Sequence, residues 1–339
     1  MRDSLRILVE EPSTAAAVRR AARKMATEIG LNETRAEEVV IVVSEACTNL
    51  LKHVGQGEIL LHTTGEEQEP HTRLELLALD RGPGMHDLEQ CIKDGFSTSS
   101  TAGQGLGAIV RLSKESDFYS VPRKGTAVLA RWFSPVQQDA VSQVDPCMRI
   151  GAVNISKPGQ DSCGDSWGAL QSNQQVTILV ADGLGHGPEA NHASSEAVRV
   201  LQNYPELSPK ALLERVHLAL RSTRGAAVAV AGIDMAAGKL TFAGVGNISG
   251  QIYSVTQGRR HLVSVNGTAG HECQRLREFT YDWPSDGLLV LHSDGLTSSA
   301  GLEPYPGLSL RDPVLIAGVL YRDCSRGNDD STVVVAKAA

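Results

Sequence analysis

Polar and apolar positions along the first third of the chain follow two periods in succession. Val39, Val40, Val43, Cys47, Leu50 and Val54 recur at helical spacing as one buried stripe, and Thr34 with Glu37 forms a capping-box pattern at its start. An earlier helix is predicted from Ser13, as its cap, through Ile29, where Gly30 stops it, and a short strand over Leu5–Val9 precedes it. Beyond the second helix, residues 58–63, 73–79, 117–121 and 126–132 alternate or run apolar as strands do, with turns between them such as Pro122-Arg123-Lys124-Gly125. One further helix is predicted over 108–114. Helices first and mostly antiparallel strands afterwards describe an α/β two-layer sandwich.

The polar, proline-bracketed stretch 134–146 interrupts this pattern and reads as a linker. A second strand-rich pattern begins at Met148, with apolar strands over 176–181, Leu288–His292 and 331–335 and helices over Pro188–Asn203 and 209–221. The boundaries drawn are therefore 1–133, a linker over 134–146, and 147–339. A chain of 339 residues is long enough for two domains with a core each.

Charge and cysteine content narrow the function classes. Net charge is −7 and no Lys/Arg cluster of the nucleic-acid or membrane-surface kind stands out, so neither is an expected partner. Small anionic ligands would have to be held locally, by glycine loops or metal ions. The six cysteines are scattered without a C-x-x-C pair, which argues against a zinc site and a disulfide framework. Acidic residues near the N-terminus and the lack of any apolar run of about 18 residues predict a cytoplasmic protein.

The first candidate chemistry follows the apolar run 74–79, which ends in Asp80-Arg81-Gly82-Pro83-Gly84. A carboxylate at a strand end can accept a hydrogen bond from an exocyclic amine, and Gly82 and Gly84 let a flat ligand approach the backbone, which suits adenine. Taken alone the pentapeptide also reads as a tight turn. After it, Gly103, Gly105 and Gly107 lie in a polar, glycine-rich loop that passes into a helix, where backbone N–H groups can cradle phosphates. The spacing is G-x-G-x-G, so this is not the dinucleotide fingerprint, and no P-loop pattern occurs. On the second helix Glu45, Asn49 and His53 form a polar line at i, i+4, i+8. Glu45 could orient or deprotonate an attacking hydroxyl, and the Asn49 amide oxygen suits Mg²⁺. An ordinary solvated face fits the same spacing, and for His53 it is the preferred reading.

In the second half the chemistry lies in separated acidic residues: Asp165, Asp182 before Gly183, Asp294, and the pair Asp329-Asp330, three of these sets at strand ends. Each singly reads as a turn residue. Together, without Lys/Arg neighbours in sequence, they suit hard divalent cations, and two such ions can activate water at neutral pH and clamp a phosphoryl group.

These motifs carry two resemblances. Ser44-Glu45-Ala-Cys-Thr-Asn49, Asp80-Arg-Gly-Pro-Gly84, Gly103-Gln-Gly105-Leu106-Gly107 and Gly125-Thr126 resemble, in order, the N, G1, G2 and G3 boxes of the GHKL ATPases, and the wording before the glycine lid is most similar to the RsbT-type switch kinases. Cys163-Gly-Asp165-Ser-Trp167, Ala181-Asp182-Gly-Leu-Gly-His-Gly187, Arg224-Gly-Ala226, Gly244-Val-Gly-Asn247, His292-Ser-Asp294-Gly295 and Asp329-Asp-Ser-Thr332 resemble the SpoIIE/RsbX branch of the metal-dependent phosphatase 2C superfamily, over nearly all of 148–337. The implied fold class is α/β: an N-terminal GHKL (Bergerat) two-layer sandwich plus a C-terminal phosphatase 2C-like αββα sandwich.

The resemblance implies ATP and Mg²⁺ for the first half, with Glu45 as catalytic base, Asn49 as metal ligand, Asp80 as adenine reader and Gly103, Gly105, Leu106 and Gly107 as phosphate lid, beside Gly82, Gly84 and Thr126. For the second half it implies two Mn²⁺ or Mg²⁺ ions on Asp165, Asp182, Asp294 and Asp329, with the Gly183 carbonyl another ligand and Asp330 able to replace Asp329. His186 reads as a turn residue with a backbone or packing role. The implied function is a bifunctional partner-switching regulator, a Ser/Thr kinase and phosphatase acting on STAS-domain partners. The alternative from another class is an ATP-binding, anti-sigma-like binding module fused to a phosphatase. Oligomeric state is not legible.

Overall fold

The computed structural model describes residues 4–65, 72–92, 105–135, 147–172, 174–273 and 275–339. Its elements run β1 (Leu5–Val9), α1 (Pro12–Glu28), α2 (Glu33–His53), β2 (Gly57–Thr64), β3 (Arg73–Leu79), α3 (Leu88–Ile92), α4 (Gly105–Leu112), β4 (Glu115–Val121) and β5 (Gly125–Phe133). There follow β6 (Met148–Ile155), β7 (Asp165–Ser172), β8 (Gln175–Gly183), α5 (Pro188–Asn203), α6 (Pro209–Ala219), β9 (Ala226–Asp234), β10 (Lys239–Val245), β11 (Ser249–Ser254) and β12 (Gly258–His261). Last come β13 (Phe279–Asp282), β14 (Leu288–His292), α7 (Pro313–Cys324) and β15 (Ser331–Ala338). No helix among the described residues is long and apolar enough to cross a membrane.

The chain divides into two compact units: Met1–Ser142 with Glu303–Arg322, and Gln143–Leu302 with Asp323–Ala339. Boundaries read from sequence keep 303–322 with the second half, whereas in space these residues belong to the first unit. The middle of the predicted linker, 136–146, lies outside the described residues.

In unit 1 the antiparallel sheet has the order β1-β2-β3-β5-β4. Both predicted helix caps move. Helix α1 starts at Pro12, whose missing N–H costs nothing in the first turn, with Glu11 as N-cap, and the Ser13 hydroxyl donates to Glu11 Oε1 at 2.5 Å without capping. Helix α2 is capped by Asn32, whose side chain accepts from the Arg35 N–H at 2.9 Å, so Thr34 sits inside the first turn. Helix α4 begins at Gly105, three positions before the predicted start, so two glycines expected in the loop are helical.

Period-two alternation gives this sheet two buried faces. Ile59, Leu61, Leu74, Leu76, Ala78, Val128, Ala130 and Trp132 pack against Val18, Ala22, Val39, Val43 and Leu50 of α1 and α2. Their sequence neighbours Leu60, Leu77, Leu79, Ala127 and Leu129 point the other way and are equally buried. Helix α7 lies on this second face, with Gly318 so close that a methyl group there would overlap Leu77.

The same face carries charge. Buried Arg131 of β5 donates through Nε to Glu75 Oε1 at 2.7 Å, and through Nη1 and Nη2 to both Asp312 oxygens at 2.7 and 2.6 Å. Burial opposes every charge in the group, but the mutual pairing wins: Glu75 is held below the ordinary carboxylate range by Arg73 and Arg131, and Arg131 above its own range by Asp312 and Glu75. His62 on β2, also buried, is pushed down by desolvation and stays neutral.

In unit 2 two five-stranded antiparallel sheets, ordered β13-β10-β9-β8-β7 and β12-β11-β14-β15-β6, share a core that includes Ile178, Phe242, Ile252, Leu291 and Val334. Helices α5 and α6 cover the outer face of the first, around Leu179, Leu212, Leu213 and Val230.

Removing one member of a buried ion pair leaves the others uncompensated, so Arg131→Met should destabilise unit 1 by about 3–5 kcal/mol in urea unfolding. A loss under about 1 kcal/mol would show that Glu75 and Asp312 find other partners. The depressed Glu75 pKa makes its contribution fully present above the unfolded value, about 4.3, and lost as pH falls through the lower folded one.

Candidate active sites

In unit 1 the site assembles where β3 ends. Asp80 follows Leu79, and its Oδ1 accepts N–H bonds from Gly82 at 2.7 Å and Thr126 at 3.1 Å, fixing the side chain against the start of β5. Among the described residues no hydrogen bond is made to its second carboxylate oxygen. Burial raises the Asp80 pKa, opposed by those two N–H groups and by Arg322 and His53. The chain around it is compressed: Gly84 at φ +67 backs onto the Val121 carbonyl and Gly125 at φ +83 onto the Asp80 carbonyl, with no room for a Cβ at either. Gly82 packs on Val54, the last apolar member of the α2 stripe, whose Cγ2 lies 2.5 Å from where a Cβ would stand.

Glu45 and Asn49 are half-buried on α2, and His53 is exposed, as preferred from sequence. A Cβ at Gly105 would lie 3.3 Å from both Asn49 Oδ1 and Glu45 Oε2. Gly105, the first described residue of α4, therefore stands directly against the carboxylate and amide of α2, and Leu106 and Gly107 after it are buried. Gly103 lies outside the described residues. Sequence reading missed Arg322, whose Nη1 donates to the Asp80 carbonyl at 2.9 Å. No local pattern marks it, because its partners lie far away in the chain.

In unit 2 the acidic residues converge at one end of the strands. Asp165 opens β7 directly opposite Asp182 near the end of β8. Asp294 follows β14, and Asp329 and Asp330 precede β15. Asp165 and Asp182 are both pushed well above the ordinary carboxylate range. For Asp165 burial dominates, opposed by the Ser293 and Thr332 hydroxyls and reinforced by Asp330 and Asp294. For Asp182 burial is again first, then repulsion from Asp165, Asp294, Asp329 and Asp330. Asp165 Oδ2 and Asp330 Oδ2 are buried without a partner.

A cluster of like charges with orphaned oxygens fits a cation. Among the described residues no three His, Cys, Asp or Glu side chains group closely enough to form a ligand set by themselves.

The two members of the final acidic pair differ. Asp330 is buried, accepts the Lys157 N–H at 2.8 Å and points Oδ2 at the Cα of Gly164, where a Cβ would come within 2.6 Å. Asp329 is half-buried and its Oδ1 accepts the Asp330 N–H at 3.0 Å. Gly183 is pressed on the Ala190 carbonyl of α5, and His186 is exposed. Support comes from residues given no role by sequence: Asn247 donates to Asp294 Oδ2 at 2.7 Å, and Asn154 donates to the Asp165 carbonyl at 3.2 Å and to Thr332 Oγ1 at 2.8 Å. Asn247 sits in a quoted motif, whereas Asn154, in the middle of β6, gave no signal.

The family described as Histidine kinase-like ATPase domain matches residues 8–132, and that described as Stage II sporulation protein E (SpoIIE) matches 172–338. The chain is 32% identical over 129 residues to the serine/threonine-protein kinase RsbT of Bacillus subtilis (strain 168), covering 38% of this chain and 94% of that protein. It is 26% identical over 142 residues to the phosphoserine phosphatase RsbX of the same organism, covering 42% of this chain and 71% of that protein. A solved structure from work described as "The bacterial stressosome: a modular system that has been adapted to control secondary messenger signaling" is similar at 26% identity and a TM-score of 0.53, over 56% of this chain and 99% of that one.

The raised carboxyl groups fix the sign of a pH effect. A folded pKa above the unfolded one means that the native state binds more protons, so in chelator unit 2 should lose stability as pH rises from about 4 through the raised values. Thermal unfolding between pH 6 and 9 should show this slope, and Asp182→Asn or millimolar Mn²⁺ should flatten it. A melting temperature that rises with pH in chelator would contradict the buried-repulsion account.

Proposed function

We propose, from the premise that this chain belongs to the RsbT-type histidine kinase-like ATPases through its first half and carries a SpoIIE-type phosphatase 2C domain in its second, that it writes and erases phosphate on a shared protein partner. The observation that carries this reading is the presence on one chain of two unlike phosphoryl-handling constellations. One is a carboxylate and amide facing a glycine-started helix. The other is a set of acidic residues from buried Asp165 and Asp330 to exposed Asp294, with orphaned oxygens on the two buried members.

In the first, the free oxygen of Asp80 accepts from the exocyclic amine of adenine while Gly82, Gly84 and Thr126 shape the backbone around the base. Gly103, Gly105, Leu106 and Gly107 supply N–H groups to the phosphates, Asn49 holds Mg²⁺, and Glu45 takes the proton from an attacking serine or threonine hydroxyl. In the second, Asp165, Asp182, the Gly183 carbonyl, Asp294 and Asp329 hold two Mn²⁺ or Mg²⁺ ions, and Asp330, buried beside Gly164, competes with Asp329 for that place. When bound, the ions supply Lewis-acid charge and an activated water. Ser293, Thr332, Asn154 and Asn247 hold the carboxylates in position. The partner is a STAS-domain regulator of the stressosome kind, the place of action is the cytoplasm, and no nucleic acid or membrane takes part.

The kinase assignment predicts that Glu45→Ala spares ATP binding but slows phosphoryl transfer about 10²-fold or more, and that Asp80→Asn weakens binding itself. Transfer by Glu45→Ala at the wild-type rate would remove the base from the scheme.

The shared-partner assignment is tested by incubating the purified chain with ATP, Mg²⁺, Mn²⁺ and STAS-domain proteins and following phosphate on them. Wild type should reach a steady level below full occupancy while ATP is consumed, and Asp182→Asn, with phosphatase activity down about 10²-fold, should drive the same partner to full occupancy. An unchanged time course would mean that the two activities serve different proteins.

A further inference from the structure

Residues 303–322 lie inside the stretch that matches the SpoIIE family, yet they cluster with unit 1. They are fastened there along their whole length. Lys124 Nζ donates to the Pro304 carbonyl at 2.5 Å and lies 5.1 Å from the Tyr305 ring centroid, and the Tyr119 hydroxyl donates to the Pro306 carbonyl at 3.2 Å. Asp117 Oδ2 accepts the Asp312 N–H at 2.8 Å, and Asp312 grips Arg131 as described. At the far end the Tyr321 hydroxyl donates to Glu58 Oε2 at 3.3 Å.

The last residue of the segment reaches the nucleotide site. Arg322 is buried, and its Nη1 donates to the carbonyls of both Asp80, at 2.9 Å, and Thr126, at 3.3 Å. These are the two residues whose other groups fix the base-reading carboxylate: the Asp80 N–H donates to the Thr126 carbonyl at 3.0 Å, and the Thr126 N–H donates to Asp80 Oδ1 at 3.1 Å. A single guanidinium thus closes, from behind, the loop of hydrogen bonds that aims the Asp80 side chain. Its charge also offsets part of the cost of keeping that carboxyl ionised under burial.

We infer that Arg322 is a positioning residue of the nucleotide site: held on a segment from the phosphatase-matched half of the sequence, it fixes the Asp80 and Thr126 backbone so that the free Asp80 oxygen meets the exocyclic amine of adenine. This rests on the reading of Asp80 as the adenine acceptor. The inferred effect is specific to the base. Arg322 touches the peptide groups behind Asp80, while the phosphate-facing residues Glu45, Asn49 and Gly105 stand on α2 and α4. Loss of Arg322 should therefore relax base recognition and leave phosphate recognition as it is.

The test measures dissociation constants of Mg²⁺-ATP, Mg²⁺-GTP and Mg²⁺-tripolyphosphate for the full chain by titration calorimetry. Arg322→Met should weaken ATP about tenfold and shrink the ATP-over-GTP preference by a similar factor, with tripolyphosphate unchanged within about twofold. Arg322→Lys, which keeps the charge and can still donate to one carbonyl, should recover much of the preference. A general loosening of the unit would weaken all three ligands together and would overturn the inference, as would an unchanged ATP preference. Should Arg322→Met fail to fold, Arg322→Gln, which is neutral and too short to span both carbonyls, takes its place, and wild-type discrimination in it overturns the inference equally. Asp80→Asn separates the two claims. Wild type that fails to bind ATP, or Asp80→Asn that keeps the full preference, defeats the adenine reading itself, whereas a normal Asp80→Asn loss with an indifferent Arg322 defeats only the positioning role.

Discussion

A carboxylate at a strand end stands where the ladder of backbone hydrogen bonds runs out, and the candidate acidic residues that the sheets of this protein contribute stand at such places. Asp80 comes one residue after β3, Asp182 in the last two residues of β8, Asp165 at the first residue of β7, and Asp330 one residue before β15. At these points peptide N–H groups can grip one carboxylate oxygen, as Gly82 and Thr126 grip Asp80 Oδ1 and Lys157 grips Asp330 Oδ1, while Asp330 Oδ2 stays buried against Gly164. Rigid strands hold the acidic residue while irregular chain gives it access.

The same residue type is treated in opposite ways along the chain. On the second face of the unit 1 sheet, Glu75 and Asp312 meet a buried arginine and are neutralised within the protein, so their oxygens are spent on structure. In unit 2 Asp165 and Asp182 face other carboxylates in place of an arginine. The first arrangement lowers a carboxyl pKa and the second raises it, at comparable burial. Neighbouring charge, more than depth, separates a structural acid from a ligand-seeking one.

Much of this was legible in the sequence because it is local. Strand β3, helix α5 and strand β14 have the limits that apolar runs and proline starts suggest, and the Asp80, Gly82, Gly84 cluster stands where the run 74–79 ends. Where neighbours compete for the same role, sequence reading slipped by two or three residues: Asn32 outranks Thr34 as a cap, and Gly105 is already helical, beside polar partners on α2. The alternation in β3 and β5 indicates two apolar faces but not what covers the second. That cover, α7, is so uniformly apolar that no amphipathic stripe distinguishes it. Asp312 and Arg322 acquire meaning only through contacts with residues 181 and 242 positions earlier.

The return of residues 303–322 to unit 1 also sets an order on biosynthesis. When residue 142 has left the ribosome, helices α1 to α4 and the five strands of unit 1 are present, but Leu60, Leu77, Leu79 and Leu129 have nothing over them. At 5–20 residues per second the covering helix follows on the order of 10 to 40 s later. Through that interval the nascent chain carries an uncovered apolar sheet face and, in Glu75 and Arg131, a charge pair still waiting for Asp312. An early-emerging unit is thus finished by chain made long after it, so a product truncated before residue 303 would carry a folded-looking but sticky unit, a natural substrate for chaperones and proteases.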